Sequence, residues 1–391
     1  MTGLPPIVCI SDVDWDYQWQ RNQALMSSFA SRGTPVLFIE NLGGRSPGIK
    51  DMNRIAKRAL NVTKQIFRNR KVAGNLTILS PVVLPFQTRW ARGINSIFFK
   101  PILLRHIRKW LGYAPSDLIV WTFSPSPSGI ELARSLKPVL WIYDPPFVLK
   151  THSHVPAELL EYEQELLSDV DIVLAAAKAT YCYYKDINPN TFLIPHGVDF
   201  DLFSSSLGPE PADLVKHGKP RLCFFGTLGW WLDYDLLKRF ALEHPRWTVI
   251  LIGPAKVDLS NLIIIPNVVL LGAKRHNELP RYLHAMDVFC IPYKVDRFTD
   301  GVLPAKTYEA LATGKPVVCT PIAEMRSLQN VVLVAERDEF SIAVKTALKN
   351  DSEAFRSRRV EVAYQNSWGS RVDSLYTLIH HHLELRMNVG N

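Results

Sequence analysis

Lys306 and Glu309 stand three positions apart in the stretch Thr299–Pro321, TDGVLPAKTYEALATGKPVVCTP. On a helix that spacing puts both side chains on one side, because residues three and four apart are surface neighbours. An ammonium beside a carboxylate suits a nucleoside diphosphate: the lysine meets phosphate charge, and the carboxylate accepts hydrogen bonds from ribose hydroxyls. Thr307 and the helix N-terminus, with Val302 and Leu303 just ahead, offer backbone N–H groups to the same anion. The plainer alternative is a solvated Lys–Glu pair, which stabilises a helix by only a few tenths of a kcal/mol.

Three other groupings could do chemistry. The turn Gly226–Gly229, which includes Thr227, follows an apolar run, and glycine lets backbone N–H groups come close to a diphosphate; strand-end punctuation is the alternative. Asp144, in WIYDPP, ends an apolar run, where a carboxylate could deprotonate an acceptor hydroxyl or simply shape the turn. The stretch Ser11–Gln20 mixes Asp12, Asp14 and Asp16 with Trp15, Tyr17 and Trp19, carboxylates and aromatic faces suited to a sugar. Its alternating aspartates also suggest calcium, but an EF-hand loop starting at Asp12 needs Gly where Tyr17 stands and Glu where Gln23 stands, so no metal is expected.

These residues need elements to hold them. Pro304 suits the first turn of a helix and Gly314 lies just past its end. Ala305, Tyr308, Leu311 and Ala312 form the core-facing stripe of that helix, with Lys306, Glu309 and Ala310 opposite. Short apolar runs alternate with helical patterns throughout, which predicts an α/β protein with parallel sheets. Strands are expected at 7–10, 36–39, 76–79, 118–121, 139–143, 172–175 and 192–194, then again at 222–225, 249–252, 268–271, 288–291, 317–319 and 331–334. A Ser-, Gly- and Pro-rich segment from Asp199 to Pro220 separates the two sets, as a linker would.

The Pro304, Lys306, Tyr308-Glu309 and Ala312-Thr313-Gly314-Lys315-Pro316-Val317-Val318 string resembles the sugar-nucleotide helix of GT-B glycosyltransferases, especially bacterial polysaccharide enzymes of the teichuronic acid type. Similar stretches recur at Val36–Glu40, Ile194–Asp199, Phe225–Asp233, Leu251–Pro254 and Ser367-Trp368. The resemblance implies two Rossmann-like doubly wound domains facing across a cleft. These are an acceptor domain over 1–200, a linker over 201–220, a donor domain over 221–366, and a helix over 367–391 that returns to the first domain. It implies a sugar transferred from a UDP-, dTDP- or GDP-sugar, with no further cofactor, to a saccharide or lipid-linked acceptor. Gly272, Lys274 and Arg275 match the segment that edges the base, and Arg21, with Asp14, Trp15 and Trp19, is assigned to the acceptor. Many relatives carry a glutamate where Gly301 stands, so stereochemistry stays open. A scaffold protein that keeps the fold without catalysis and a sugar-nucleotide epimerase are the alternatives.

With 391 residues, 47% of them hydrophobic, the chain can bury two cores. MTGLPPIVCI lacks the basic start of a signal peptide, and five scattered cysteines suggest buried thiols in a reducing cytoplasm. The net charge of +8 is concentrated in 45–110, where Arg89, Arg92, Lys100, Arg105, Arg108 and Lys109 interleave with Trp90, Ile97, Phe98 and Trp110. That mixture predicts a surface pressed on anionic lipid at the inner membrane face; the alternative is core residues with a solvated basic side. No nucleic-acid-binding signature accompanies the charge.

Overall fold

The computed structural model describes residues 3–42, 68–81, 93–112, 117–152, 155–206 and 208–389. The chain forms two compact units, the first of residues 1–176, 180–194 and 372–391, the second of residues 177–179 and 195–371.

In the first unit the strands are β1 (Ile7–Ile10), β2 (Val36–Ile39), β3 (Arg68–Ala73), β4 (Leu76–Ser80), β5 (Ile119–Thr122), β6 (Leu140–Tyr143), β7 (Ile172–Ala175) and β8 (Thr191–Leu193). They make one sheet in the order β3-β4-β2-β1-β5-β6-β7-β8. Ile7 pairs with Val36 on one side and Ile119 on the other, both in parallel register. Every residue of β1, β2, β5, β6 and β7 is buried, as apolar runs covered on both faces must be. The exception is β3, antiparallel to β4 and reading RNRKVA, with no apolar run to announce it.

The second unit contains β9 (Arg221–Phe225), β10 (Thr248–Ile252), β11 (Val268–Gly272), β12 (Val288–Ile291), β13 (Val317–Cys319) and β14 (Leu333–Val334), all parallel, in the order β11-β10-β9-β12-β13-β14. Strand order therefore reverses between β9 and β12 here, and between β1 and β5 in the first unit. In doubly wound sheets ligands bind beyond the carboxyl ends of the strands flanking that reversal.

Two expectations change. Residues 201–220 are not a bare linker: they include short helices at Phe200–Phe203 and Ala212–Val215, and Phe203 and Leu214 are fully buried in the second unit's core. Ala310 does not face outward with Glu309, because the helix Lys306–Ala312 packs on a second one, Glu353–Gln365, which buries it. The helix Trp368–Val389 buries Val372, Leu375 and Ile379, and within the first unit its Tyr376 ring lies 5.5 Å from Phe29.

Residues 43–67 and 82–92 of the basic region lie outside the described residues. In its described part the helix Lys100–Trp110 buries Leu103 and Ile107, while Ile97 and Phe98 in the preceding turn are 68% and 62% exposed. The helix thus has a core side, and the turn before it carries exposed apolar side chains. No described helix is long and apolar enough to cross a membrane.

Candidate functional site

Three adjacent parallel strands of the second unit end on glycines with positive φ: Gly226 (+122°) after β9, Gly253 (+147°) after β10 and Gly272 (+69°) at the end of β11. Gly226 donates its N–H to Ile252 O at 2.8 Å and Gly253 donates to Gly272 O at 2.9 Å, which ties the strand ends together. A Cβ on Gly253 would lie 1.8 Å from Gly226 O, so no side chain fits there. At Gly226 the hypothetical Cβ meets something different: it would lie 2.0 Å from Lys306 Cε. The lysine stem thus runs across the end of β9, beside the reversal of strand order, because position 226 has no side chain.

Lys306 and Glu309 are both partly buried, yet among the described residues neither side chain has a hydrogen-bond or ion-pair partner. Burial pushes the Lys306 ammonium below its ordinary range, against the pull of Glu309. Burial also pushes the Glu309 carboxyl up to about 7; Lys306 opposes this and Asp199 adds to it. A desolvated cation and carboxylate without partners are what a site looks like when its complement is a ligand. Sequence reading did not single out Asp199, the N-cap that accepts the Leu202 N–H at 3.3 Å. Its only local signal is the run from His196 to Asp199.

Other expected donor contacts divide. Gly226 and Thr227 are partly buried at the strand end, and Val302 is partly buried ahead of the helix. Leu303 and Thr307 enter the expectation through their backbone N–H groups; their side chains point into protein, Leu303 in the core and Thr307 Oγ1 donating to Met325 Sδ at 3.5 Å. Thr307 also gives its N–H to Pro304 O at 2.9 Å. Lys274 is turned away by an ion pair with Asp213 at 2.7 Å and by the Tyr282 ring at 4.7 Å. Arg275 is exposed and its N–H goes to Glu278 Oε2 at 3.2 Å.

In the first unit, Asp144 is corrected as a base. It has no exposed surface, its two oxygens both accept from Arg21 Nε at 2.9 Å, and Oδ2 also accepts from Trp121 Nε1 at 3.3 Å. Burial raises its pKa despite Arg21, and the pair locks helix Arg21–Ser31 to the end of β6. Arg21 is spent on the same contact, and Trp15 is buried edge-on against Phe38 with its N–H on Glu40 Oε1 at 2.9 Å. Asp14 is partly buried, whereas Trp19 is 37% exposed. Asp12, which follows β1 at the other reversal of strand order, is partly buried, accepts from Asn22 Nδ2 at 2.7 Å, and has its pKa raised mainly by burial. Among the described residues no group of three or more His, Cys, Asp or Glu side chains is placed to hold a metal ion.

Residues 219–350 match the family model described as Glycosyl transferases group 1. Over 186 residues the chain is 31% identical to TuaH of Bacillus subtilis (strain 168), to which a teichuronic acid biosynthesis glycosyltransferase activity is ascribed. That alignment covers 45% of this chain and 47% of TuaH, so the chain spans about half the length of the relative it matches. Among solved structures it is similar to the sucrose-phosphate synthase of Thermosynechococcus elongatus, with a TM-score of 0.69, 14% identity and coverage of 97% of this chain and 99% of that one. It is also similar to HepE of Anabaena, solved with UDP and glucose, with a TM-score of 0.67, 14% identity and coverage of 97% and 100%. The fold is GT-B, and within it residues 219–350 are the part that matches the group 1 glycosyltransferase model.

Proposed function

We propose that this chain, built around a group 1 glycosyltransferase domain, transfers a sugar from a nucleoside diphosphate sugar to a hydroxyl of a saccharide or lipid-linked saccharide in cell-surface polysaccharide synthesis. The observation that carries the reading is the unpartnered Lys306–Glu309 pair at the carboxyl edge of the second sheet, with the lysine laid over Gly226. Phosphate oxygens complement the ammonium, and ribose hydroxyls complement the carboxylate. As the glycosidic bond breaks, negative charge grows on the departing diphosphate, and an ammonium already in place stabilises it without reorganising. UDP, dTDP and GDP donors all fit this chemistry, which needs no cofactor beyond the donor. The UDP held in HepE and the teichuronic acid assignment of TuaH support the substrate class.

On the acceptor side the usable groups are Asp14, Trp19 and Asp12; Asp144 and Arg21 position the loop that carries them. Ile97 and Phe98, next to Lys100, Arg105, Arg108 and Lys109, would bring the enzyme to an anionic membrane where a lipid-linked acceptor resides. Donors are screened by thermal shift and then assayed for nucleotide release with and without acceptor glycans, in a chelator. Acceptor-dependent release is expected; interconversion of the free donor with no acceptor would replace the reading with an epimerase, and binding without any release would reduce it to a scaffold.

A further inference from the structure

A charged cavity lies in the same unit as the Lys306–Glu309 pair, at the opposite ends of its strands. It measures about 400 Å³ and is lined by Lys219, Arg281, Lys315, Arg356, His284 and Thr313, among others. Lys219 precedes β9, His284 precedes β12 and Lys315 precedes β13, three neighbouring strands entered from their amino ends. The Lys306–Gly226 corner is at the carboxyl end of β9, so a five-residue strand, about 16 Å, separates the two places.

The charge there is unbalanced. Four of the lining residues are cations, and Glu210, the one lining carboxylate, is already paired with Arg221 at 2.6 Å. Among the described residues neither the Lys219 nor the Lys315 ammonium has an ion-pair partner. Arg281 gives Nε and Nη2 to Pro209 O at 3.2 and 3.1 Å, which fixes the guanidinium but adds no negative charge. Arg356 has only long contacts, 3.6 Å to Glu353 and 3.9 Å to Asp351, and Asp351 is taken by Arg359. Burial lowers the Lys315 pKa and Arg356 and Lys219 lower it further, while Asp287 and Asp351 oppose them, so these cations feel one another.

The arrangement is built rather than incidental. Gly314, at φ +74°, would put a Cβ 2.6 Å from Arg356 Cγ, so the arginine stem needs the bare backbone there. Arg359 Nε on the same helix donates to Gly314 O at 2.8 Å, and Lys315 N–H donates to Thr313 Oγ1 at 3.2 Å, which together hold the turn that presents Lys315. Four cations whose nearby carboxylates Glu210 and Asp351 are already paired with Arg221 and Arg359 are matched by a compact anion carrying several charges. A volume of this size admits a phosphate with a sugar-sized body attached.

We infer that the cavity between Lys219, Arg281, Lys315 and Arg356 is a binding site for a small phosphate-bearing anion, separate from the donor corner. The helix Lys306–Ala312 begins at the donor residues and ends at this cavity, so an occupant touches the last turn of the element that carries Lys306 and Glu309.

The probe is pyrophosphate, titrated calorimetrically into the Lys306→Ala protein so that the donor corner contributes little. One-to-one binding is expected, weakening with added salt, with the dissociation constant raised at least tenfold by Lys315→Ala and again by Arg356→Ala. Arg358→Ala removes the same charge from the same helix outside the cavity and should change it less than threefold. Equal losses for Arg358→Ala and Arg356→Ala, or no binding to the Lys306→Ala protein, would overturn the site. Circular dichroism of each variant separates a lost site from a lost fold. Donor titration of the wild-type chain reads the donor corner independently, so the two readings fail separately.

Discussion

Glu309 is the residue whose behaviour should report most directly on the site. Its folded-state pKa of about 7 stands above the ordinary 4.5, so the neutral form is favoured on folding. The stability this gives is complete below about pH 4.5 and is lost as pH rises through about 7. Glu309→Gln keeps the neutral form throughout: urea denaturation should find no gain at pH 4.5 and a gain of about 1–3 kcal/mol at pH 8, less than the full shift because Lys306 loses its nearest counter-charge. The same variant should weaken donor binding by about 1.5–3 kcal/mol, the usual size for a hydrogen bond to a charged group. Ribose hydroxyls need the ionised carboxylate, so wild-type donor binding near pH 7 should release protons; a binding heat independent of buffer ionisation enthalpy would count against the assignment. Gly226→Ala makes the companion test. Its Cβ would fall on the Lys306 stem in a backbone region that side chains rarely adopt, so we expect a stability loss of about 1–3 kcal/mol and a fall in donor affinity matching Lys306→Ala. Unchanged affinity would mean that Lys306 does not work from this place. The spacing of Lys306 and Glu309 put them on one side of a helix but left a solvated pair as the alternative, and it was the resemblance of the surrounding string that singled them out. For Asp144, expected as a base or as a turn-shaping residue, burial favours the second, and sequence could not decide because it shows that a polar group ends a strand, not whether its side chain turns toward ligand or core.

Strands write themselves as short apolar runs, most plainly where both faces are buried, which is why the sequence marked β1, β2, β4 to β13 to within a residue or two. The missed β3 has one neighbour, lies at the sheet edge, and carries charge at three of its six residues, so its one local instruction is the turn at Gly74 and Asn75. The 306–312 helix was misread on one face, since Ala310 is small enough to read as solvent-facing and yet lets the Glu353–Gln365 helix come close. The last helix obeyed its pattern: Val372, Leu375 and Ile379 have 0% exposure, Thr34 Oγ1 and Tyr376 OH are hydrogen-bonded at 2.5 Å, and Arg386 donates to Val139 O at 2.6 Å while pairing with Asp171. This segment is therefore part of the first unit's core, although it is reached only after the second unit is complete. Leu375→Ala should cost about 2–5 kcal/mol, read as a lower urea midpoint. A loss under about 1 kcal/mol would mean the helix is dispensable to the first core.

The excess of +8 is a property of the entire chain, and its local concentration sets a testable behaviour. Lys100 is tied to Glu131 at 3.2 Å, whereas Arg105, Arg108 and Lys109 are exposed on the helix whose buried side is Leu103 and Ile107. Ile97, Phe98 and Ile102 remain 68%, 62% and 40% exposed beside them, apolar area that a purely solvated face would not require. Each cation near an anionic surface contributes about 1 kcal/mol, and this falls away once the separation exceeds a Debye length of about 8 Å at physiological salt. Burying a side chain such as phenylalanine adds about 1.5–3 kcal/mol, independent of salt. The two contributions predict a pattern rather than a single number. Vesicles rich in anionic phospholipid should bind the chain at low ionic strength and release most of it at high salt, while zwitterionic vesicles bind little. Ile97→Ser with Phe98→Ser should lower binding at every salt concentration and leave the denaturation midpoint unchanged, because neither side chain is in the core. Arg105→Ala with Arg108→Ala should instead flatten the salt dependence. Equal binding to both vesicle types would show that charge does not direct this surface to lipid, and would leave the basic residues as a solvated face.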